Sequence, residues 1–270
     1  MVQVSMSPWT KILEKPEPCG HLVQMYDRDE PLVENVGRFL AEGFRRSEGL
    51  MVVATAAHRE MFRSYLAKAG FDVAAAVESR QLVLLDAQTT LPGLLKNGMP
   101  DWRLFEPLAG DAIANVRRQP GRGMRIYGEM VAILWQTGRY SAAIRLEEFW
   151  NRLLGHSSFS LFCGYPIDVL GQSFQGPSIE ALLRTHTHLV PGSGGILEPA
   201  IRRALEEVLA GKTADLPEPE KPSRCSAVLP RGEALALAVR KNLPDHAETI
   251  LSKARFYYDA SVRESLAPVA

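Results

Sequence analysis

The sequence predicts an α/β fold: a mostly parallel central sheet flanked by helices, followed by an all-helical C-terminal extension. Three observations predict it. Short apolar runs alternate with amphipathic segments from His21 to Gly176, the pattern of strands joined by crossover helices. One run, Leu50 to Thr55 (LMVVAT), is apolar almost throughout, as a strand covered on both faces must be. After Gly176 the alternation stops, and the remaining segments read as helices separated by Pro- and Gly-containing breaks.

The elements follow in order. Residues 1–20 carry Pro8, Pro16 and Pro18 and read as a loose leader. His21 to Tyr26 (HLVQMY) is the first strand. Asp29 is the expected N-cap of the next helix, whose buried face is Leu32, Val36, Phe39, Leu40 and Phe44, and Gly49 is expected to close it. Leu50 to Thr55 is the second strand, His58 to Ala69 a helix ended by Gly70, and Gln81 to Asp86 the third strand. Leu104 to Arg118 is helical up to Pro120 and Gly121; Met124 to Gly128 and Phe159 to Cys163 complete the strands, with a helix from Ala142 to Leu154 between them. The α/β body is thus expected over 21–176 and a helical extension over 177–211, including one helix from Pro177 through Leu189. Residues 212–230, with four prolines, read as a linker, and 231–270 as C-terminal helices.

Bulk composition excludes several classes. Hydrophobic residues at 46% and charged residues at 23% are ordinary for a globular chain. Lysine plus arginine equal aspartate plus glutamate at 31 each, so no net positive charge favours nucleic acid. No segment has the roughly 20 apolar residues that span a bilayer. Cys19, Cys163 and Cys225 are odd in number and far apart, which fits a reducing compartment rather than a disulfide framework. The expectation is a cytoplasmic protein that contacts neither membrane nor nucleic acid.

Arg125 to Pro166 is the most informative stretch, because it sets chemistry-bearing residues near strand ends. A strand ends in Gly128 and Glu129, a helix carries Leu146, Glu147, Trp150 and Asn151, and a second strand ends in Cys163, Gly164, Tyr165 and Pro166. Open α/β sheets bind small ligands outside the carboxyl ends of their strands.

These pieces, together with His21 to Tyr26, Met130, Val131, Leu134 and Trp135, resemble the MEDS domain family, sensory modules of the DcmR type. The likeness runs from about His21 to about Leu189, and its order and spacing are more specific than any single piece. The resemblance implies a fold like the RecA and KaiC ATPases without their nucleotide chemistry, and a sensor role for small organic molecules. Members of that family are often joined to DNA-binding or kinase modules; no such segment follows Gly176 here.

The turn after the first strand agrees with lost nucleotide chemistry. Tyr26 to Pro31 (YDRDEP) has neither the glycines nor the lysine of a phosphate loop, and its acids repel phosphate. The candidate ligand-binding residues are His21, Tyr26, Glu129, Trp135, Glu147, Cys163 and Tyr165. Glu129 either accepts ligand hydrogens in a crevice or is a helix N-terminal acid stabilised by the dipole. Glu147 is a site carboxylate or a solvated helix acid; His21 is a ligand group or an exposed strand end. Trp135 is an apolar wall or a core anchor. Cys163, at the end of a buried strand, behaves as a small apolar residue unless a histidine reaches it. His186 and His188 are spaced wrongly for a helical metal pair, so they are expected to be capping or exposed residues. No catalytic residue, metal or cofactor is expected.

The reading is a non-catalytic sensory module for a small organic ligand at the carboxyl edge of the sheet. Two alternatives stay open: a divergent nucleotide or carboxylate-based hydrolase using Glu129 and Glu147, and a protein-interaction scaffold. The stripe Ile250, Leu251, Ala254, Tyr257 and Tyr258 either docks on its own domain or pairs with a second subunit or signalling partner.

Overall fold

The computed structural model describes residues 8–17, 19–156, 158–172, 174, 176–192, 195–209 and 229–266. Most of the linker expected at 212–230, and Cys225 within it, lie outside the described residues.

Six parallel strands form the central sheet in the order β3-β2-β6-β7-β1-β8. They are β1 (His21–Met25), β2 (Gly49–Ala54), β3 (Leu82–Asp86), β6 (Met124–Gly128), β7 (Phe159–Tyr165) and β8 (His188–Val190). β4 (Leu95–Lys96) and β5 (Met99–Pro100) make a separate small hairpin. Every residue of β1, β2, β6 and β7 is buried, which is why these strands read as apolar runs rather than alternating patterns.

Helices cover both faces. One face packs against α1 (Pro8–Glu14), α2 (Asp29–Arg45), α3 (Ala56–Lys68) and α4 (Val73–Glu78), through Leu13, Leu32, Phe39, Phe62 and Val73. The other packs against α5 (Ala87–Thr90), α6 (Trp102–Asn115), α7 (Met130–Gln136), α8 (Tyr140–Leu154), α9 (Gly176–Arg184) and α10 (Leu197–Val208). The same core takes in α11 (Arg231–Asn242) and α12 (Pro244–Leu266) through Leu235, Val239, Ile250, Leu251 and Ala254. The apolar stripe of the last helix therefore docks on its own domain. Each such leucine, isoleucine or valine taken out of water contributes about 1.5–3 kcal/mol.

Four expectations need correction. The helix expected through Leu189 stops at Arg184, and His188–Val190 add a sixth strand to β1, so the sheet continues past Gly176. A strand of only three residues is too short to announce itself. The leader contains α1, held because buried Arg125 donates to the carbonyls of Leu13 and Glu14 at 2.7 and 2.9 Å. Asp29 is the first residue of α2; Arg28 holds the cap position. Gly49 does not close α2; Ser47 takes the left-handed turn at φ 56°. Gly49 begins β2, where a Cβ would lie 2.7 Å from Val116 Cγ1.

The connections decide where crevices open. β1 feeds α2 on one face, whereas its neighbours β7 and β8 feed α9 and α10 on the other. β2 feeds α3 on the first face, whereas β6 beside it feeds α7 on the second. Chains leaving in opposite directions part the loops, and this is where open α/β sheets accept ligands. No helix among the described residues is long and apolar enough to cross a membrane.

Candidate functional site

The seven candidate residues separate into distinct settings on the two faces of the sheet. Glu129 plugs the crevice between β2 and β6. It is buried and accepts from Thr55 N at 2.6 Å, from His58 Nδ1 at 2.7 Å and from the Tyr127 hydroxyl at 3.2 Å. His58 Nε2 reaches Asp29 at 3.2 Å, and its ring meets Tyr26 edge-on at 5.9 Å. Burial opposes a charged imidazole, yet Glu129 and Asp29 outweigh it and raise the His58 pKa. Burial first, then Glu129, pushes Tyr127 well above the ordinary phenol range. This corner is a satisfied hydrogen-bond network.

His21, Glu147, Cys163 and Tyr165 meet on the opposite face, beneath the strands rather than at their carboxyl edge. Period-two alternation along β1 and β7 turns His21, Cys163 and Tyr165 to the side covered by α8. Glu147, fully buried, accepts from the Tyr165 hydroxyl at 2.7 Å and lies 3.2 Å from His21 Nε2 and 3.5 Å from Cys163 Sγ. His21 Nε2 is 3.4 Å from Cys163 Sγ. His186 completes the group, with Nε2 at 3.3 Å from the other Glu147 oxygen. Burial lowers the His186 pKa, with His21 adding to it. Although burial works against a charged Glu147, the two imidazoles hold its carboxyl well below the usual range. Burial, then Glu147, pushes the Cys163 thiol up. His21 is not an exposed strand end, nor is Glu147 solvated. His186 is neither helical nor exposed; it is buried in the turn before β8. Trp135 stands edge-on to Tyr165 at 5.2 Å and packs in the same core.

Glu129 and Glu147 thus do not converge on one open pocket, the arrangement a two-carboxylate hydrolase needs. Residues with chemistry that the sequence reading passed over are His58, Tyr127, Glu233 and Arg255; His186 was weighed and expected to be a capping or exposed residue. His58 carried a readable signal, because it stands in the first turn after a strand end. His186 was hidden by reading Pro177 to Leu189 as one helix.

The second crevice, beside β1, is a cleft lined by Tyr26, Asp27, Asp168, Glu233, Arg255 and Tyr258 among others. Arg255 on α12 reaches across it, donating to Asp27 Oδ2 at 2.8 Å and to Asp168. Arg28 lies over the Tyr258 ring at 5.0 Å. The free volume of about 20 Å³ holds a water or two, not an organic ligand. Glu233 is buried with no ion-pair partner among the described residues; burial raises its pKa to about 7, against the pull of its own backbone N–H. Of the seven candidates, Tyr26 alone lines this cleft.

A family model described as MEDS, the methanogen/methylotroph, DcmR sensory domain, matches residues 20–187. No curated protein matches the chain. The match begins one residue before His21 and ends one after His186, so it spans the whole sheet up to β8 and both buried networks. The parallel sheet, the acidic turn where a phosphate loop would stand and this match agree: the chain belongs to the MEDS family of sensory domains.

Proposed function

We propose that this sensory domain binds a small organic molecule in the cleft at the carboxyl ends of β1 and β7, and reports occupancy through its C-terminal helices. One observation carries the reading: the crevice beside β1 is closed by α11 and α12 themselves, through Glu233, Arg255 and Tyr258. Since the closed cleft has room for little more than water, a ligand enters only when α12 shifts. Occupancy and tail position are then linked, and a ligand acts by its unequal affinity for the two arrangements. The lining suits a molecule with a polar head and an apolar body. Asp27, Asp168, Arg255 and the near-neutral Glu233 offer hydrogen bonds; Met25, Ile167 and Leu197 offer apolar wall.

The test is a thermal-shift screen with small alcohols, halocarbons, carboxylic acids and nucleotides, followed by hydrogen exchange on any compound that stabilises. A true ligand raises the melting temperature and quickens exchange across 244–266. Arg255→Ala, which removes the clasp to Asp27 and Asp168, quickens the same amides without ligand and tightens binding. If no compound stabilises, or a stabilising compound leaves the tail amides unchanged, the reading fails.

A further inference from the structure

We infer that His21, Glu147, Cys163 and His186 form a buried four-ligand site for a divalent transition ion of the zinc class. The site is independent of the cleft reading above. Among the described residues these four bring one ligand atom each within 4.8 Å of every other, and all four are buried.

The spacing is close to that of a coordination tetrahedron, with every ligand atom within 4.8 Å of the others. Bonds of about 2.0–2.3 Å to nitrogen, oxygen and sulfur give tetrahedron edges of about 3.3–3.8 Å. Three separations form one triangle through a single carboxylate oxygen and fall near this range: 3.2 Å from His21 Nε2 to Glu147 Oε2, 3.4 Å from His21 Nε2 to Cys163 Sγ and 3.5 Å from Cys163 Sγ to Glu147 Oε2; His186 Nε2 lies 3.3 Å from Oε1, the other oxygen.

The outer hydrogen bonds aim the lone pairs inward. Asn151 Nδ2 donates to Thr185 O at 2.7 Å, which turns its carbonyl oxygen to His21 Nδ1 at 2.8 Å. His21 Nδ1 is therefore the donor, and in the neutral ring Nε2 keeps its lone pair. His186 Nδ1 likewise donates to Leu182 O at 2.8 Å. Its Nε2 makes no hydrogen bond among the described residues despite being fully buried and 3.3 Å from a carboxylate oxygen. With Nδ1 as the donor, the neutral ring sets two acceptors against each other, and only a proton on Nε2 or a cation between them relieves this. The Tyr165 hydroxyl donates to Glu147 Oε1, the oxygen that faces His186, and so orients the carboxylate. Imidazoles oriented by a carbonyl and an amide, and a carboxylate oriented by a phenol, are the outer shell that metal ligands have.

The donor set, one thiolate, two imidazoles and one carboxylate, suits zinc rather than calcium or magnesium. Coordination forms the sulfur–metal bond and releases the Cys163 thiol proton to solvent; the imidazoles bind through an unprotonated Nε2 and Glu147 as a carboxylate. With every ligand supplied by the chain, the site ties β1, α8, β7 and the turn before β8 together.

The experiment uses the full chain. Metal content is measured after purification with zinc in the medium, then the ion is exchanged for cobalt(II). The expected result is one ion per chain, a thiolate-to-cobalt charge-transfer band and the intense visible bands of tetrahedral cobalt. Cys163→Ser removes the charge-transfer band. Asn151→Ala, which leaves every ligand in place, weakens binding about 10–100-fold. A folded chain that takes up neither zinc nor cobalt stoichiometrically overturns the site and leaves a proton shared between His21 and Glu147 in its place. Cobalt bound without the sulfur band overturns it equally. Neither outcome bears on the thermal-shift screen.

Discussion

Replacing Glu233 with glutamine should stabilise the protein, and only above about pH 4.5. Glu233 is 3% exposed, and burial raises its pKa from 4.5 to about 7. The sign follows from linkage. Below 4.5 the carboxyl is protonated whether the chain is folded or not, and it contributes nothing. Between 4.5 and 7 the unfolded chain ionises while the folded chain holds its proton, so folding is penalised more with each step in pH. Above 7 both states are ionised and the penalty is constant. A difference of 7 minus 4.5 units, at 1.36 kcal/mol per unit, amounts to about 3 kcal/mol. Glu233→Gln keeps the shape and removes the titration. Urea unfolding of both proteins at pH 4, 6 and 8 should show no difference, a partial gain and a gain of about 3 kcal/mol in turn. An equal difference at all three values, or a loss at pH 8, would refute the account of a lone buried carboxyl in the cleft. A ligand that donates to this carboxylate should bind more weakly to the variant, and more so as pH rises.

Two further outcomes follow from the same geometry. Glu129→Ala leaves Thr55 N, the Tyr127 hydroxyl and His58 without their buried partner, which should cost about 3–5 kcal/mol in chemical denaturation. Glu129→Gln, which still accepts from Thr55, should cost about 1–3 kcal/mol. Because the His58 pKa is raised above 6.5, its contribution is fully present below that value and is lost as pH rises through the folded value. The wild type should therefore lose stability over that range and Glu129→Gln, which keeps only Asp29 beside the ring, should lose less; NMR titration of the His58 ring gives the pKa directly. Gly164→Ala puts a Cβ 2.6 Å from the Tyr127 hydroxyl and should cost about 1–3 kcal/mol. The penalty should shrink when Tyr127→Phe removes the clashing oxygen, a coupling that a double-mutant cycle reads.

The sequence by itself determined the class of fold and most of its elements. A strand buried on both faces must be apolar along its length, and a surface helix must be apolar on one side. Both constraints are local, so Leu50 to Ala54, Phe159 to Cys163 and the face Leu32, Val36, Phe39 and Leu40 were readable. The acidic turn after β1 and the residues shared with the MEDS family were equally local.

Only the tertiary structure decided which of the chemical residues meet. His21 and Cys163 are 142 positions apart and touch because β1 pairs with β7. Glu129 and His21, both near strand ends in the sequence, stand on opposite faces because side-chain direction depends on residue parity and helix placement, which no local pattern records. His186 joins Glu147 because three residues after it pair as an edge strand. The tail closes the cleft through Arg255, whose partners Asp27 and Asp168 lie far back along the chain. Spacing along the chain carries periodicity, but convergence of distant groups is set by strand order and by which face each connection crosses.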